Sequence, residues 1–255
     1  MDSNPIQHKG VSKSFTIDEF DQALDLIDVA VIASPNKFHV LQAKQCLEQN
    51  IHVLVEKPLA QSMAELQPLL EEMTTTSAYL QVGYLLNSHP AITFLEQHLS
   101  IDEILSIDYW RTTTRSNHSS THPVDAFLVH ALALFGHLGI TIRENDIEHH
   151  VEGTLHSFSF TSTQNISIKC NMGWNAKEER RHIEMITRND RLQVDFGSPG
   201  FCTINNHQHE VSNELALHSQ WKQFLSNIQN KQALSTQSFE NFQNQYAMFK
   251  KIVKI

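Results

Sequence analysis

Three stretches of the chain carry residue types suited to chemistry on a small polar ligand. They are Ser34-Pro35-Asn36 with His39 just downstream, Glu56-Lys57-Pro58, and HPVDAFLVHALALF at 122–135, which holds Asp125 and His130. A lysine ammonium at the edge of a crevice stabilises negative charge developing on a ligand oxygen. Pro58 biases the residue before it away from the helical region, so Lys57 is expected in an extended turn. An isolated Glu-Lys-Pro is most simply a solvated turn, and only its company argues for a site. His130 reads in two ways, as a general acid or base or as a histidine capping the core from an apolar helix. Asp125 lies five residues before it. Five α-helical steps rotate by about 140°, four by about 40°. Asp125 therefore joins His130 only if the helix starts between them or is distorted; otherwise it is a first-turn acid following Pro123.

The elements that must position these residues follow from pattern. Thr16–Leu26 carries Glu19 three residues after Thr16, a capping box opening a helix. Asp28–Ser34 is an apolar run of strand length, as for a strand covered on both faces. Lys37–Asn50 has helical spacing and ends on Asn50, a residue suited to a C-terminal cap. A strand at 51–56, a helix at 62–73 and a strand at 78–84 complete an alternation that implies βαβ units and a parallel sheet. In such a sheet ligands sit beyond the carboxyl ends of the strands. There lie Ser34-Pro35-Asn36, Glu56-Lys57-Pro58 and Gly83-Tyr84. After about residue 100 the pattern changes to strands at 104–114, 151–161, 165–174, 181–188 and 191–196, with helices at 123–138, 215–228 and 239–254. The expected fold class is α/β plus α+β: a partial parallel sheet over 1–86, then a domain with a large, mainly antiparallel sheet over 87–255.

In order and spacing, Ser34–His39, Val55–Ala60 and Gln81–Tyr84 resemble the Gfo/Idh/MocA family of NAD(P)-dependent oxidoreductases. The Glu-Lys-Pro signature is the specific part, and the resemblance is strong over 28–84. It implies a Rossmann domain followed by a sheet domain, NAD or NADP as cofactor, and a sugar- or polyol-like alcohol or carbonyl as substrate. By it, Ser34, Pro35, Asn36 and His39 belong to the nucleotide side of the site. Glu56 and Lys57 lie near the nicotinamide, and Lys57 orients or protonates the reacting oxygen. It also implies association into a homodimer or higher oligomer through the C-terminal sheet.

Three departures qualify this. Family members open with a strand, a Gly-rich turn, a helix and a second strand ending in a ribose-binding acid; here Met1–Pro5 resembles the residues just after that second strand, and Asp2 takes the place of the acid. The 8 glycines form no G-x-G-x-x-G, so the Rossmann sheet is expected to lack its first βαβ unit and to bind dinucleotide weakly. Second, with His130 as the family histidine, the two accompanying acids fall at Ala126 and Ala133. Third, Leu85-Leu86 replaces a polar pair after Gly83-Tyr84, leaving Arg111, Arg115 and Asn117 as candidates for gripping a polar substrate. A non-catalytic remnant or binding subunit of the same fold is the alternative function.

Composition narrows the classes. With 40% hydrophobic and 18% charged residues the chain buries a core. A net charge of -9 argues against nucleic acid as a partner. No apolar run approaches a membrane span, and the N-terminal MDSNPIQHKG has no apolar signal region, so a cytoplasmic location is expected. No metal is expected: three scattered cysteines make no metal motif, and His207-x-His209-Glu210 reads as a wet turn. The tryptophans 110, 174 and 221 read as core or sheet-face aromatics. Ile166, Ile168, Met172, Ile183, Met185 and Leu192 are expected on an exposed sheet face too apolar to stay wet.

Overall fold

A computed structural model describes residues 19–60, 62–116, 123–143, 147–198, 200–230 and 247. The chain divides into two compact units, the first holding residues 1–83 with 224–235, the second 84–223 with 236–255.

In the first unit, strands β1 (Val29–Ile32), β2 (His52–Val55) and β3 (Leu80–Val82) form a parallel sheet in the order β1-β2-β3. Helices α1 (Phe20–Leu24), α2 (His39–Glu48) and α3 (Met63–Met73) connect and flank them. A parallel pair needs a crossover, and the crossover helices bury both sheet and helix faces. Val53 and Val55 of β2, Ala43 and Cys46 of α2, and Leu66 and Leu69 of α3 are all fully buried. Asn50 ends α2 in the left-handed region, φ +56°, as its cap role requires. Ser62 caps α3 by accepting the Glu65 N–H at 3.1 Å. Helix α1 is shorter than the pattern at 16–26 predicts, and Thr16 lies outside the described residues. Among the described residues β1 is an edge strand, with Val31 58% exposed.

The second unit contains α4 (Pro90–His98), β4 (Ile104–Thr112), a π-helical turn (Val124–Leu128) running into α5 (Val129–His137), and strands β5 (Glu148–Glu152), β6 (Leu155–Thr161), β7 (Ser167–Gly173), β8 (Arg180–Thr187), β9 (Arg191–Asp195), β10 (Phe201–Ile204) and β11 (His207–Glu210). Helix α6 (Ala216–Gln229) follows, and from Phe224 onward it belongs to the first unit. The eight strands form one sheet in the order β11-β10-β9-β8-β4-β7-β6-β5, antiparallel except for β4 beside β7. Helices α4 and α5 fill its inner face: Ala91, Ile92, Leu95, Leu128, Leu134 and Phe135 share one core with Ile107, Tyr109, Phe158 and Ile183. None of the described helices is long and apolar enough to cross a membrane.

Several expectations change. The single strand expected at 151–161 is a hairpin, β5 and β6, turning at Gly153 with φ +61°. The turn expected around His207 is strand β11, paired with β10 through Asn205-Asn206, both at positive φ. Helix α4, which sequence pattern does not signal, starts on Pro90, and His89 caps it by accepting the Ala91 N–H at 3.2 Å. The helix expected at 239–254 lies outside the described residues, apart from Ala247. The apolar outer face is the plainest correction. Ile166, Ile168, Met172, Ile183, Met185 and Leu192 are 0–3% exposed and belong to the core. Alternation is right but the face is the other one, because α4 and α5 cover it. The opposite face is polar: Asn171 donates to Asp108 and accepts from Ser157, both at 2.8 Å.

Candidate functional site

The three strand tips of the first unit meet as the alternation predicts. Past the end of β2, Glu56 N–H donates to Ile32 O at 2.8 Å, and Gly83 N–H donates to Val55 O at 2.7 Å. These bonds hold the segments leaving β1, β2 and β3 side by side. A Cβ on Gly83 would stand 3.3 Å from Val55 O and 3.4 Å from the Glu56 Cα, so glycine is what lets the third tip approach. Pro35 and Asn36 are exposed, Ser34 and Lys57 half-buried, and Glu56 exposed with its carboxylate accepting the Lys57 N–H at 3.2 Å. The Lys57–Pro58 peptide is cis.

His39 has a different place from a side chain facing a ligand. It is 1% exposed, with Nε2 2.7 Å from Ser34 O and Nδ1 2.8 Å from Pro58 O. One buried ring thus ties the first tip to the second. Ser34 Oγ turns to Gln42 at 2.6 Å, fixing the same loop to α2. Asp2 lies outside the described residues.

In the second unit the question of the five-residue spacing resolves in the backbone. Residues 124–128 form a π-helical turn, in which bonding runs from i to i+5. The distortion that would bring positions 125 and 130 toward one side is therefore present. His130 is half-buried in the first turn of α5, while Ala126 packs against the core and Ala133 is buried. Arg111 is half-buried at the end of β4, its guanidinium 5.5 Å from the centre of the Phe127 ring. Burial, and then the neighbouring Arg181, push its pKa below the ordinary arginine value. Arg115 is exposed just beyond, and Asn117 lies outside the described residues. Among the described residues no group of three or more His, Cys, Asp or Glu converges as for a metal ion.

Comparison with known proteins bears on the family of the first unit and on the fold of the chain. The model of an oxidoreductase family with an NAD-binding Rossmann fold, Gfo/Idh/MocA, matches residues 1–84. Over residues 1–84 the chain therefore matches the Gfo/Idh/MocA family in sequence. It is 26% identical over 127 residues to scyllo-inositol 2-dehydrogenase (NAD(+)) of Bacillus subtilis, covering 50% of this chain and 36% of that protein. It is 27% identical over 82 residues to 4-carboxy-2-hydroxymuconate-6-semialdehyde dehydrogenase of a Sphingobium species, covering 32% of this chain and 26% of the relative. The matched stretches thus span only about a quarter to a third of those curated relatives. The fold extends further: UDP-N-acetylglucosamine 3-dehydrogenase of Acidithiobacillus ferrooxidans superposes with a TM-score of 0.82 at 18% identity, over 94% of this chain and 82% of the other.

A Rossmann-type parallel sheet followed by a large sheet domain is the fold of this chain. Sequence reasoning missed Arg181, which stands directly opposite Arg111 in the β4–β8 register, and the packing of Trp174 on Phe127 at 4.7 Å. Two consecutive arginines at 180–181 are visible in the sequence; which one shares a face with Arg111 depends on register, which no local pattern carries.

Proposed function

We propose that this chain is an oxidoreductase that uses NAD or NADP on the alcohol or carbonyl of a sugar- or polyol-type small molecule. The observation that carries the reading is the alignment of the three strand tips, with exposed Pro35 and Asn36 and half-buried Lys57 beside the close approach of Gly83. The family's NAD-binding description and a curated relative acting on scyllo-inositol with NAD(+) support it. When bound, the nicotinamide group accepts or delivers a hydride.

In this reading Ser34, Pro35 and Asn36 border the nucleotide, Asp2 binds the ribose, and Glu56 sits by the nicotinamide end. His39 braces the first two tips from beneath. Lys57 holds the substrate's reacting oxygen through a charge-assisted hydrogen bond and stabilises negative charge there. His130 gives or takes the substrate proton, with Asp125 as its orienting acid. Arg111, Arg115 and Asn117 grip polar groups of the substrate. We further propose a cytoplasmic location and self-association through the polar outer face of the large sheet, which light scattering tests directly.

A second reading, a non-catalytic binding subunit, is favoured by Ala126 and Ala133 at the acid positions. Calorimetric titration with NADH and NADPH separates the two. The oxidoreductase reading expects saturable binding of one of them, weakened by Asn36→Ala. No saturable binding of either cofactor would favour the second reading.

A further inference from the structure

The inner face of the large sheet ends, at β4 and β8, in two arginines directly opposite one another, Arg111 and Arg181. Like charges at directly opposed antiparallel positions destabilise a sheet. Here compensation is incomplete. Glu179 pairs with Arg181, whereas among the described residues the Arg111 guanidinium has no hydrogen-bond or ion-pair partner and rests only against the Phe127 ring. Arg181 Nε is buried with no hydrogen-bond partner of its own. Arg115, beyond the end of the strand, adds a further positive charge that Arg111 senses. Among the described residues one carboxylate thus answers three guanidiniums at a half-buried, aromatic-walled position. Guanidinium forks match the oxygens of phosphoryl and carboxylate groups in pairs.

We propose that Arg111 and Arg181 form a seat for an oxyanion, and that the substrate carries a phosphoryl or carboxylate group that docks there. Assigning the anion to the substrate rests on the oxidoreductase reading; the seat itself does not. The arrangement is costly without a ligand and favourable with one, the usual signature of a binding position placed ahead of stability. Phe127 and Trp174 wall the seat on one side and favour an anionic group attached to a flat or apolar body.

The test is calorimetric titration of the whole chain with inorganic pyrophosphate and, separately, malonate, at matched ionic strength. Saturable binding of at least one probe is expected, with tighter pyrophosphate binding pointing to a phosphoryl group and tighter malonate binding to a carboxylate. Arg111→Met and Arg181→Met should each weaken it tenfold or more, and Arg111→Lys should recover only part. Lys169→Met, on the opposite face of the sheet, should change nothing. Thermal unfolding without any anion gives the second readout: Arg111→Met should leave the midpoint unchanged or raise it, because a repulsion is removed. Anion binding unaltered in Arg111→Met, no binding of either probe, or a lowered midpoint in the anion-free variant would overturn the proposal. Absent NADH and NADPH binding with anion binding intact would instead count against the oxidoreductase reading alone.

Discussion

Replacing His39 by phenylalanine should loosen the two strand-tip loops together while leaving the rest of the fold in place. The ring is 1% exposed and lies 2.7 Å from Ser34 O and 2.8 Å from Pro58 O. Phenylalanine keeps most of the volume, so the cavity cost is small. What disappears is every hydrogen bond the ring makes to those carbonyls. Stranding a buried acceptor costs roughly 1–3 kcal/mol. Ser34 and Pro58 are themselves half-buried, so some water reaches them and the lower half of that range applies. An uncharged imidazole donates a single N–H, to one carbonyl at a time, so the loss counts one acceptor and comes to about 1–2 kcal/mol, roughly five- to thirtyfold in an opening equilibrium. Because two units need not unfold in one step, urea denaturation should be paired with amide hydrogen exchange. Protection at 33–37 and 56–60 should fall by that factor, with β6, β7 and β8 unchanged. A stability loss below about 0.5 kcal/mol, or a loss of protection spread evenly over the chain, would refute the bracing role.

In any assay that registers turnover, Lys57→Ala should lower kcat on the order of a hundredfold, about 3 kcal/mol of transition-state stabilisation, with little change in thermal midpoint. Lys57→Arg should not restore it, since a planar fork does not occupy the place of a compact ammonium; full activity in Lys57→Ala would reduce the Glu-Lys-Pro turn to structure. Stability should also depend on pH through His89, which burial pushes below the ordinary histidine value of 6.5 against a smaller opposing pull from Asp195. The unfolded chain therefore takes up the proton first, so this contribution is complete above about pH 6.5 and is lost as pH falls through the lower folded value. Urea midpoints measured from pH 7.5 downward should show that decline, and His89→Asn, which can still cap α4, should flatten part of it. Burial acts on His182 in the same direction, so some slope should remain. Gly173→Ala should cost about 1–3 kcal/mol, because its Cβ would stand 2.5 Å from the Thr154 carbonyl oxygen; an unchanged thermal midpoint would show that the hairpin relaxes freely.

The parts of this protein legible in the sequence are those fixed by nearest neighbours. Alternating apolar runs and helix caps place β1, α2, β2, α3 and β3 to within a few residues, since Asn50 and Ser62 stop and start helices through bonds to adjacent backbone. Parallel strands oblige their tips to share one edge, so the juxtaposition of Ser34-Pro35-Asn36 with Glu56-Lys57-Pro58 follows from topology alone. Three matters needed the tertiary structure. Periodicity identifies the paired apolar residues of the large sheet but not the face that α4 and α5 cover, so pattern puts Ile168 and Met185 at the surface whereas they lie in the core. The five-residue interval between Asp125 and His130 has no meaning until the backbone adopts a π-helical turn. The opposition of Arg111 and Arg181, 70 positions apart, arises from strand register. Local sequence sets which conformations are cheap for a few residues, whereas the pairing of distant strands is decided by the packing of the whole sheet against its helices.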